Sequence, residues 1–293
     1  MLCLNLCEFL YRGNYGSALN PQCVDSELAH LFAKSVSWPR DVYPLSLRLR
    51  AELNNRGYAI ISTDIVNFAP PTPNTSDAFY PGPYFGEAIL GLVGSMLGKV
   101  QSLPHQNNGR LFHDIMPIAS QHDQQSSASS SVTLEMHTEL AFVDDPPDYV
   151  LLFCVRQDPN AEAETYLFDA FDAFNTIGCE DMIELSKDQF CFGTDINVTE
   201  NLDTSVIDRS IVDLVAMRLM RYDVDLYKRT GSRADRAFDN LLRALVAVRT
   251  SIKLNHGQLI IIDNKRVVHS RSHFNAAYNG RDRWLKRSLV QRY

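Results

Sequence analysis

The run QLIII, which ends at Asp263, constrains this chain more than any other stretch. Gly257 precedes it and the Asp263-Asn264 pair follows, so a short apolar run is bounded by turn residues at both ends. That is the pattern of a buried strand running into a turn. Three further segments share its β-branched, aromatic and aliphatic content: DYVLLFCVR (148–156), TYLFDAF (165–171) and RWLKRSLVQRY (283–293). YAIIST after Gly57 is another, and LFHDIMPIA (111–119) reads as a strand interrupted at Pro117. The sheet elements need helical cover, and the chain supplies it. Apolar residues recur at helical intervals over 24–35, 42–55, 206–222 and 232–252, and a glycine-containing helix is expected over about 83–99. FAPPTPNTSDAF (68–79) carries three prolines and reads as loop. The expectation is an α+β fold with a mostly β core and flanking and inserted helices. It forms one domain over 1–293, with a helical N-terminal part at about 20–100 and a helical insert at about 206–252.

Composition removes several function classes. Lys+Arg is 28 against 35 for Asp+Glu, a formal charge of -7, which argues against a nucleic-acid binder because such affinity needs a basic footprint. The six cysteines form neither CxxC pairs nor a dense disulfide framework, so reduced thiols and a cytoplasmic location are expected. The start MLCLNLCEFLYR lacks a basic n-region and a cleavage site, and the apolar stretch at 89–98 is about half of what a membrane span needs. No membrane partner is expected; a homodimer is compatible with the sequence.

The chemistry concentrates in two blocks. In His137-Thr138-Glu139 an extended backbone turns residues i and i+2 to one side, so an imidazole and a carboxylate can address one point. His269, following KRVV after the LIIID strand, is the best third ligand. Two histidines and one carboxylate leave three octahedral positions open, as non-haem Fe(II) oxygenases require. The same set could hold a tetrahedral Zn²⁺ with one water, as in a hydrolase, although no HExxH helix is present. The C-terminal block carries Arg266, Arg271, Arg281, Arg283 and Arg287. These could be the solvated face of an edge strand packed over Trp284. Alternatively one of them turns inward as a planar fork for a carboxylate. Arg283 suits that role, since fourteen residues from His269 allow one turn and a return on the adjacent strand. The polar stretch QHDQQSSASSSV, just before the metal motif, reads as a loop able to close over a pocket at 121–131.

SVTLEMHTELAFVDDPPDYVLLFCVRQD, taken with GQLIIIDNKRVVHSRSHFNAAYNGRDRWLKRSLV, resembles the clavaminate synthase-like group of iron- and 2-oxoglutarate-dependent oxygenases. That group includes the arginine and asparagine hydroxylases of peptide antibiotic biosynthesis. The resemblance implies a distorted jelly roll, or double-stranded β-helix, with His137, Glu139 and His269 as the iron ligands. It implies that Arg283 and Thr165 hold the far carboxylate of 2-oxoglutarate. It also implies that Gln106, Ser127 and Glu139 hold the α-amino and α-carboxylate groups of an amino-acid substrate. Asp223 and Asp225 would then receive a basic side chain, provided the chain there is extended or irregular, because i and i+2 share no helix face. The implied reaction uses Fe(II), 2-oxoglutarate and O₂ to hydroxylate Cβ or Cγ of a free L-amino acid, arginine or lysine or a close analogue, releasing succinate and CO₂. The alternatives are a zinc-dependent hydrolase on the same ligands and a jelly-roll protein that binds a small molecule without catalysis.

Overall fold

The computed structural model describes residues 2–4, 42–64, 70–75, 85–102, 109–194 and 208–293. The expected helix at 24–35 lies outside the described residues, whereas the three prolines of the stretch 68–79 lie in the described 70–75, which is loop as expected. The strands in chain order are β1 (Leu2–Leu4), β2 (Tyr58–Thr63), β3 (Gly98–Gln101), β4 (His113–Ile115), β5 (Leu134–His137), β6 (Tyr149–Arg156) and β7 (Thr165–Asp169). They continue with β8 (Val212–Asp213), β9 (Arg218–Leu219), β10 (Arg249–Ile252), β11 (Gln258–Asp263), β12 (Val267–Arg271) and β13 (Trp284–Arg292). The helices are α1 (Val42–Arg56), α2 (Phe85–Leu97), α3 (Ala170–Phe174), α4 (Cys179–Leu185) and α5 (Arg233–Ala247).

Two sheets carry the site. The larger runs β1-β2-β11-β6-β13-β3, with β4 also paired to β13; the smaller runs β10-β7-β12-β5. Strand alternation sorts their side chains into layers. Val150, Leu152 and Cys154 of β6, Ile260 and Ile262 of β11, and Leu285 and Leu289 of β13 meet Leu167 and Val267 of the smaller sheet. The opposite faces of β6 and β11 present Leu151, Phe153, Leu259 and Ile261 to α1 and α2. Phe168 and Val268 face outward from the smaller sheet onto Phe174, Leu185, Phe238 and Leu241 of α3, α4 and α5. The double-sheet core of a jelly roll with helices on both outer faces follows from this alternation. QLIIID needs cover on both faces because it is a central strand, paired with β2 on one side and β6 on the other.

Helix α2 tolerates its glycines because they bring it close to the sheet. A Cβ on Gly94 would lie 2.7 Å from a methyl of Val100 and 3.2 Å from one of Val290. On the same outer face of β13 sits Lys286, 3% exposed, whose Nζ pairs with Glu87 of α2 at 2.8 Å and with Asp114 of β4 at 2.6 Å. Burial alone would push this ammonium down, but the two carboxylates outweigh it and hold its pKa above the usual value. Trp284 Nε1 donates to the same Asp114 carboxylate at 2.7 Å.

The segment before residue 223 corrects the helical expectation for 206–222, and with it the first part of the insert at 206–252. Its described part is a β8–β9 hairpin, with Val212 opposite Leu219 and Asp213 opposite Arg218. Apolar residues spaced by three and four serve a hairpin as well as a helix. Here Ile211, Leu219 and Tyr222 are buried, while Val215 at the tip is 98% exposed. Asp213 Oδ1 accepts from the Val215 and Ala216 N–H groups and closes the turn, and Met217 takes a φ of 49°. The second helix is shorter than expected over 232–252. It stops at Ala247, and Arg249–Ile252 pairs instead with β7. TYLFDAF likewise changes from strand to helix after Asp169, whose carboxylate caps α3 through the Phe171 N–H. Of LFHDIMPIA only His113–Ile115 forms strand.

Replacing Lys286 with Met should destabilise the fold by about 3–5 kcal/mol, because two buried carboxylates lose their common partner. A denaturant midpoint close to that of the parent protein would show that the triad contributes little.

Candidate active site

The smaller sheet places the two histidines. His269 on β12 lies directly opposite His137 at the end of β5, with ring centroids 4.3 Å apart. Glu139 is not on the extended strand the sequence reading assumed. It sits in the turn just after β5, with Leu140 behind it at a φ of 58°, a region disfavoured for such a side chain. Asn264, 1% exposed in the β11–β12 turn, fixes that turn. Its Oδ1 accepts from the Glu139 N–H at 2.8 Å and its Nδ2 donates to the Glu139 carbonyl at 3.1 Å. Thr138 is tied to the chain before Asp223: its N–H donates to the Tyr222 carbonyl at 2.7 Å, and its Oγ1 accepts from the Tyr222 N–H at 2.9 Å.

The donor atoms of His137, Glu139 and His269 all lie within 4.8 Å of one another. His137 Nδ1 donates to the Glu135 carbonyl at 2.8 Å, which leaves Nε2 with its lone pair free. Burial, then His137 and Arg287, push the His269 pKa well below its usual value, so this imidazole is neutral. Its Nδ1 is buried without a hydrogen-bond partner among the described residues. Two imidazoles and a carboxylate converging on one point fit Fe(II) in its three-ligand facial arrangement.

Arginines surround this centre. Arg287 Nη1 donates to Glu139 Oε1 at 2.7 Å, and its Nη2 donates to His113 Nδ1 at 3.0 Å. His113 Nε2–H donates to the Arg110 carbonyl at 2.8 Å. Burial and the neighbouring guanidinium push its pKa down to about 3, so it stays neutral and can accept from Arg287. Arg283 is 8% exposed and makes no hydrogen bond or ion pair to another described residue. It lines a cavity of about 60 Å³ together with Thr165, Ser127, His269 and Arg271. A buried guanidinium without an anion is costly, and a ligand carboxylate is the natural partner. The solvated-edge reading of the arginine run therefore fails for Arg283 and Arg287: both are buried, and β13, which starts just after Arg283 and carries Arg287, is paired with β6 and with β3 or β4.

A second cavity, of about 630 Å³, shares Ser127, His137, Glu139 and Arg287 with the first and is lined in addition by Asp223 and Asp225. Asp223 is 8% exposed and forms an isolated bridge with His137. Burial raises its carboxyl to about 6, while His137 and the Leu226 N–H act the other way. Its Oδ1 accepts that N–H at 2.8 Å, and the Asp225 backbone N–H also bonds this carboxylate. Asp225 is exposed in the turn that follows. The irregular chain the pair requires is present here. Gln106 lies outside the described residues.

Arg287, His113 and Asn264 carry the site without having been assigned a role from sequence. Arg287 was recoverable, because residues 283, 285 and 287 alternate onto one face of the strand (Leu285 is in the inter-sheet core). His113 and Asn264 act through contacts spanning more than a hundred residues, which no local pattern signals.

Known proteins resemble this chain over most of its length. L-lysine 3-hydroxylase of Catenulispora acidiphila is 29% identical over 243 residues, which are 80% of this chain and 67% of the relative. L-asparagine oxygenase of Streptomyces coelicolor is 29% identical over 227 residues, 75% of this chain and 66% of the relative. Clavaminate synthase 2 of Streptomyces clavuligerus is 29% identical, covering 70% of this chain and 64% of the relative. The alignments thus span about two thirds of the curated relatives' lengths. The solved structure of the non-heme iron oxygenase OrfP with Fe, succinate and (3S)-hydroxy-L-Arg superposes with a TM-score of 0.82. It is 26% identical and covers 99% of this chain and 93% of that one. An asparagine oxygenase with Fe(II), 2S,3S-3-hydroxyasparagine and succinate shares the fold, with a TM-score of 0.79 at 23% identity, over 94% of this chain and 93% of that one. Residues 41–188, half of the chain, match the taurine catabolism dioxygenase TauD, TfdA family, and the chain belongs to that family.

Proposed function

We propose that this protein is an Fe(II)- and 2-oxoglutarate-dependent hydroxylase of a free L-amino acid with a basic side chain, acting at Cβ or Cγ. The observation that carries the reading is the convergence of His137, Glu139 and His269 near a buried guanidinium, that of Arg283, which has no carboxylate partner among the described residues. Relatives support the substrate class, for they include an L-lysine 3-hydroxylase and an L-ornithine/L-arginine 3-hydroxylase. Family membership and the three-ligand set weigh against the zinc hydrolase and against a binder without catalysis.

When bound, the iron couples oxidative decarboxylation of 2-oxoglutarate by O₂ to insertion of one oxygen atom into the substrate C–H bond; succinate takes the other. The chain's own residues prepare that event. Arg283, with the Thr165 hydroxyl beside it, clamps the far carboxylate of the cosubstrate as a two-pronged donor. The amino acid enters the larger cavity. Arg287, held between Glu139 and His113, has a fixed orientation there, and Ser127 and the implied contact Gln106 complete the anchoring of the α-substituents. Asp223, with Asp225 at the rim, receives the side-chain cation, which would otherwise enter at a large desolvation cost. Anchoring both ends of the substrate selects which carbon faces the iron.

The reading extends to a cytoplasmic enzyme acting on a diffusible metabolite. The free thiols of Cys154, Cys179 and Cys191 are compatible with a reducing compartment, and no helix among the described residues is long and apolar enough to cross a membrane.

Replacing His269 with Ala should remove Fe(II) binding and amino-acid-dependent succinate formation while leaving the circular dichroism spectrum intact; normal turnover by that variant would reject the metal centre. Arg283→Gln should weaken 2-oxoglutarate binding on the order of tenfold or more through loss of a charge-assisted pair, read by anaerobic titration. For substrate choice, Asp223→Asn should raise KM for L-arginine or L-lysine far more than for a neutral amino acid. Equal changes for both kinds would remove the proposed cation contact.

A further inference from the structure

The serine-rich segment before the metal motif is firmly tethered, and one buried side chain does most of the tethering. Arg271 is 5% exposed and stands two residues beyond His269 on β12, opposite Thr165. Its guanidinium spends its donors on that segment: Nη1 on the Ser129 carbonyl at 2.7 Å, and Nη2 on Ser129 Oγ at 2.8 Å and the Val132 carbonyl at 3.2 Å. A longer bond from Nη1 reaches the Ser127 carbonyl at 3.4 Å, and Nε donates to the Ser272 carbonyl at 3.1 Å. Every acceptor is neutral; no carboxylate among the described residues pairs with it. Burial, then the neighbouring Arg283 guanidinium, push its pKa down to about 9.

Two further facts give this tether a direction. Arg271 and Arg283 line the same small cavity; its one carboxylate, Glu139, is paired with Arg287, so neither of the first two has a carboxylate partner among the described residues. Ser127 lines that cavity and also the larger one, so the segment Arg271 holds forms part of the wall the two share. A dianion entering the small cavity offsets the repulsion between the guanidiniums and so holds that of Arg271 in the place from which it reaches Ser129 and Val132. On the reading above, that dianion is 2-oxoglutarate.

Resting on that reading, we infer that Arg271 is a positioning residue through which cosubstrate in the small cavity firms residues 126–132 and thereby shapes the amino-acid cavity on the other side of Ser127. The coupling is reciprocal, because each ligand must strengthen the binding of the other by the same factor.

The test uses the full chain loaded with Fe(II) under anaerobic conditions. Amide hydrogen exchange over residues 121–132 is followed with and without 2-oxoglutarate, in the absence of any amino acid. Calorimetry gives the affinity for 2-oxoglutarate alone, and for L-arginine with and without it. In the parent protein 2-oxoglutarate should slow exchange in this segment and tighten L-arginine binding by on the order of fivefold or more. In Arg271→Lys, which keeps the charge but loses the fork, 2-oxoglutarate should still bind while both effects shrink towards nothing. Ser129→Ala removes one acceptor without touching the cation and should show a partial loss. Binding of 2-oxoglutarate to the parent protein without slowed exchange would overturn the inference while leaving the proposed function standing. Full slowing and full coupling in Arg271→Lys would do the same. Failure of 2-oxoglutarate to bind the parent protein at all would overturn both.

Discussion

Two imidazoles directly opposite each other across an antiparallel strand pair are the constraint on which the rest of the site depends. His137 and His269 face one another because β5 and β12 are paired in one register, and a slip of a single residue would turn either ring to the helical side of the sheet. The outward neighbours Met136 and Val268 hold that register by burying themselves against α3, α4 and α5. Packing on one face of the smaller sheet thus fixes ligand geometry on the other. Glu139 cannot be placed this way, since it lies beyond the strand, and the side-chain amide of Asn264 supplies the missing restraint by bonding both backbone groups of that residue.

Charge is distributed around this frame with the same division of labour. The outer face of β13 buries Lys286 with the two carboxylates of Glu87 and Asp114. The inner face presents Arg283 and Arg287, and β12 adds Arg271, so the interior near the triad is rich in cations with few anions. Such an imbalance is expensive in a protein that binds nothing. It becomes sensible where the ligands are carboxylates: a dicarboxylic cosubstrate on one side of the metal and an amino acid on the other. Glu139 mediates between the two roles, as it faces the metal centre and also holds the Arg287 guanidinium.

The parts of this arrangement that could be read from the sequence are those with local signatures. HTE at 137–139, the histidine after a buried strand, and the arginine fourteen residues further on each sit in an apolar alternating context that predicts the element carrying them. Strands β2, β6, β11 and β13 were legible for the same reason. What was hidden depends on pairing between distant segments. The apolar spacing over 208–222 is ambiguous between helix and hairpin, and it is resolved only because Tyr222 and Val224 dock by backbone bonds onto Thr138 and Met136. Helix α5 gives way to β10 because β7 offers an unpaired edge, which no window of sequence displays. His113 and Arg271 look like ordinary polar residues until their partners are known.

That docking of residues 222–224 onto β5 has an evolutionary corollary. Main-chain groups make the attachment, the Thr138 N–H to the Tyr222 carbonyl and the Val224 N–H to the Met136 carbonyl. The side chains at 225 and 226 take no part in that attachment, although they line the larger cavity, whereas the Asp223 carboxylate also closes the turn by accepting the Leu226 N–H. Point changes at 225 and 226 can retune which metabolite is accepted while the iron ligands stay undisturbed, so a lineage built on this scaffold can diversify its chemistry by drift at a few interchangeable positions.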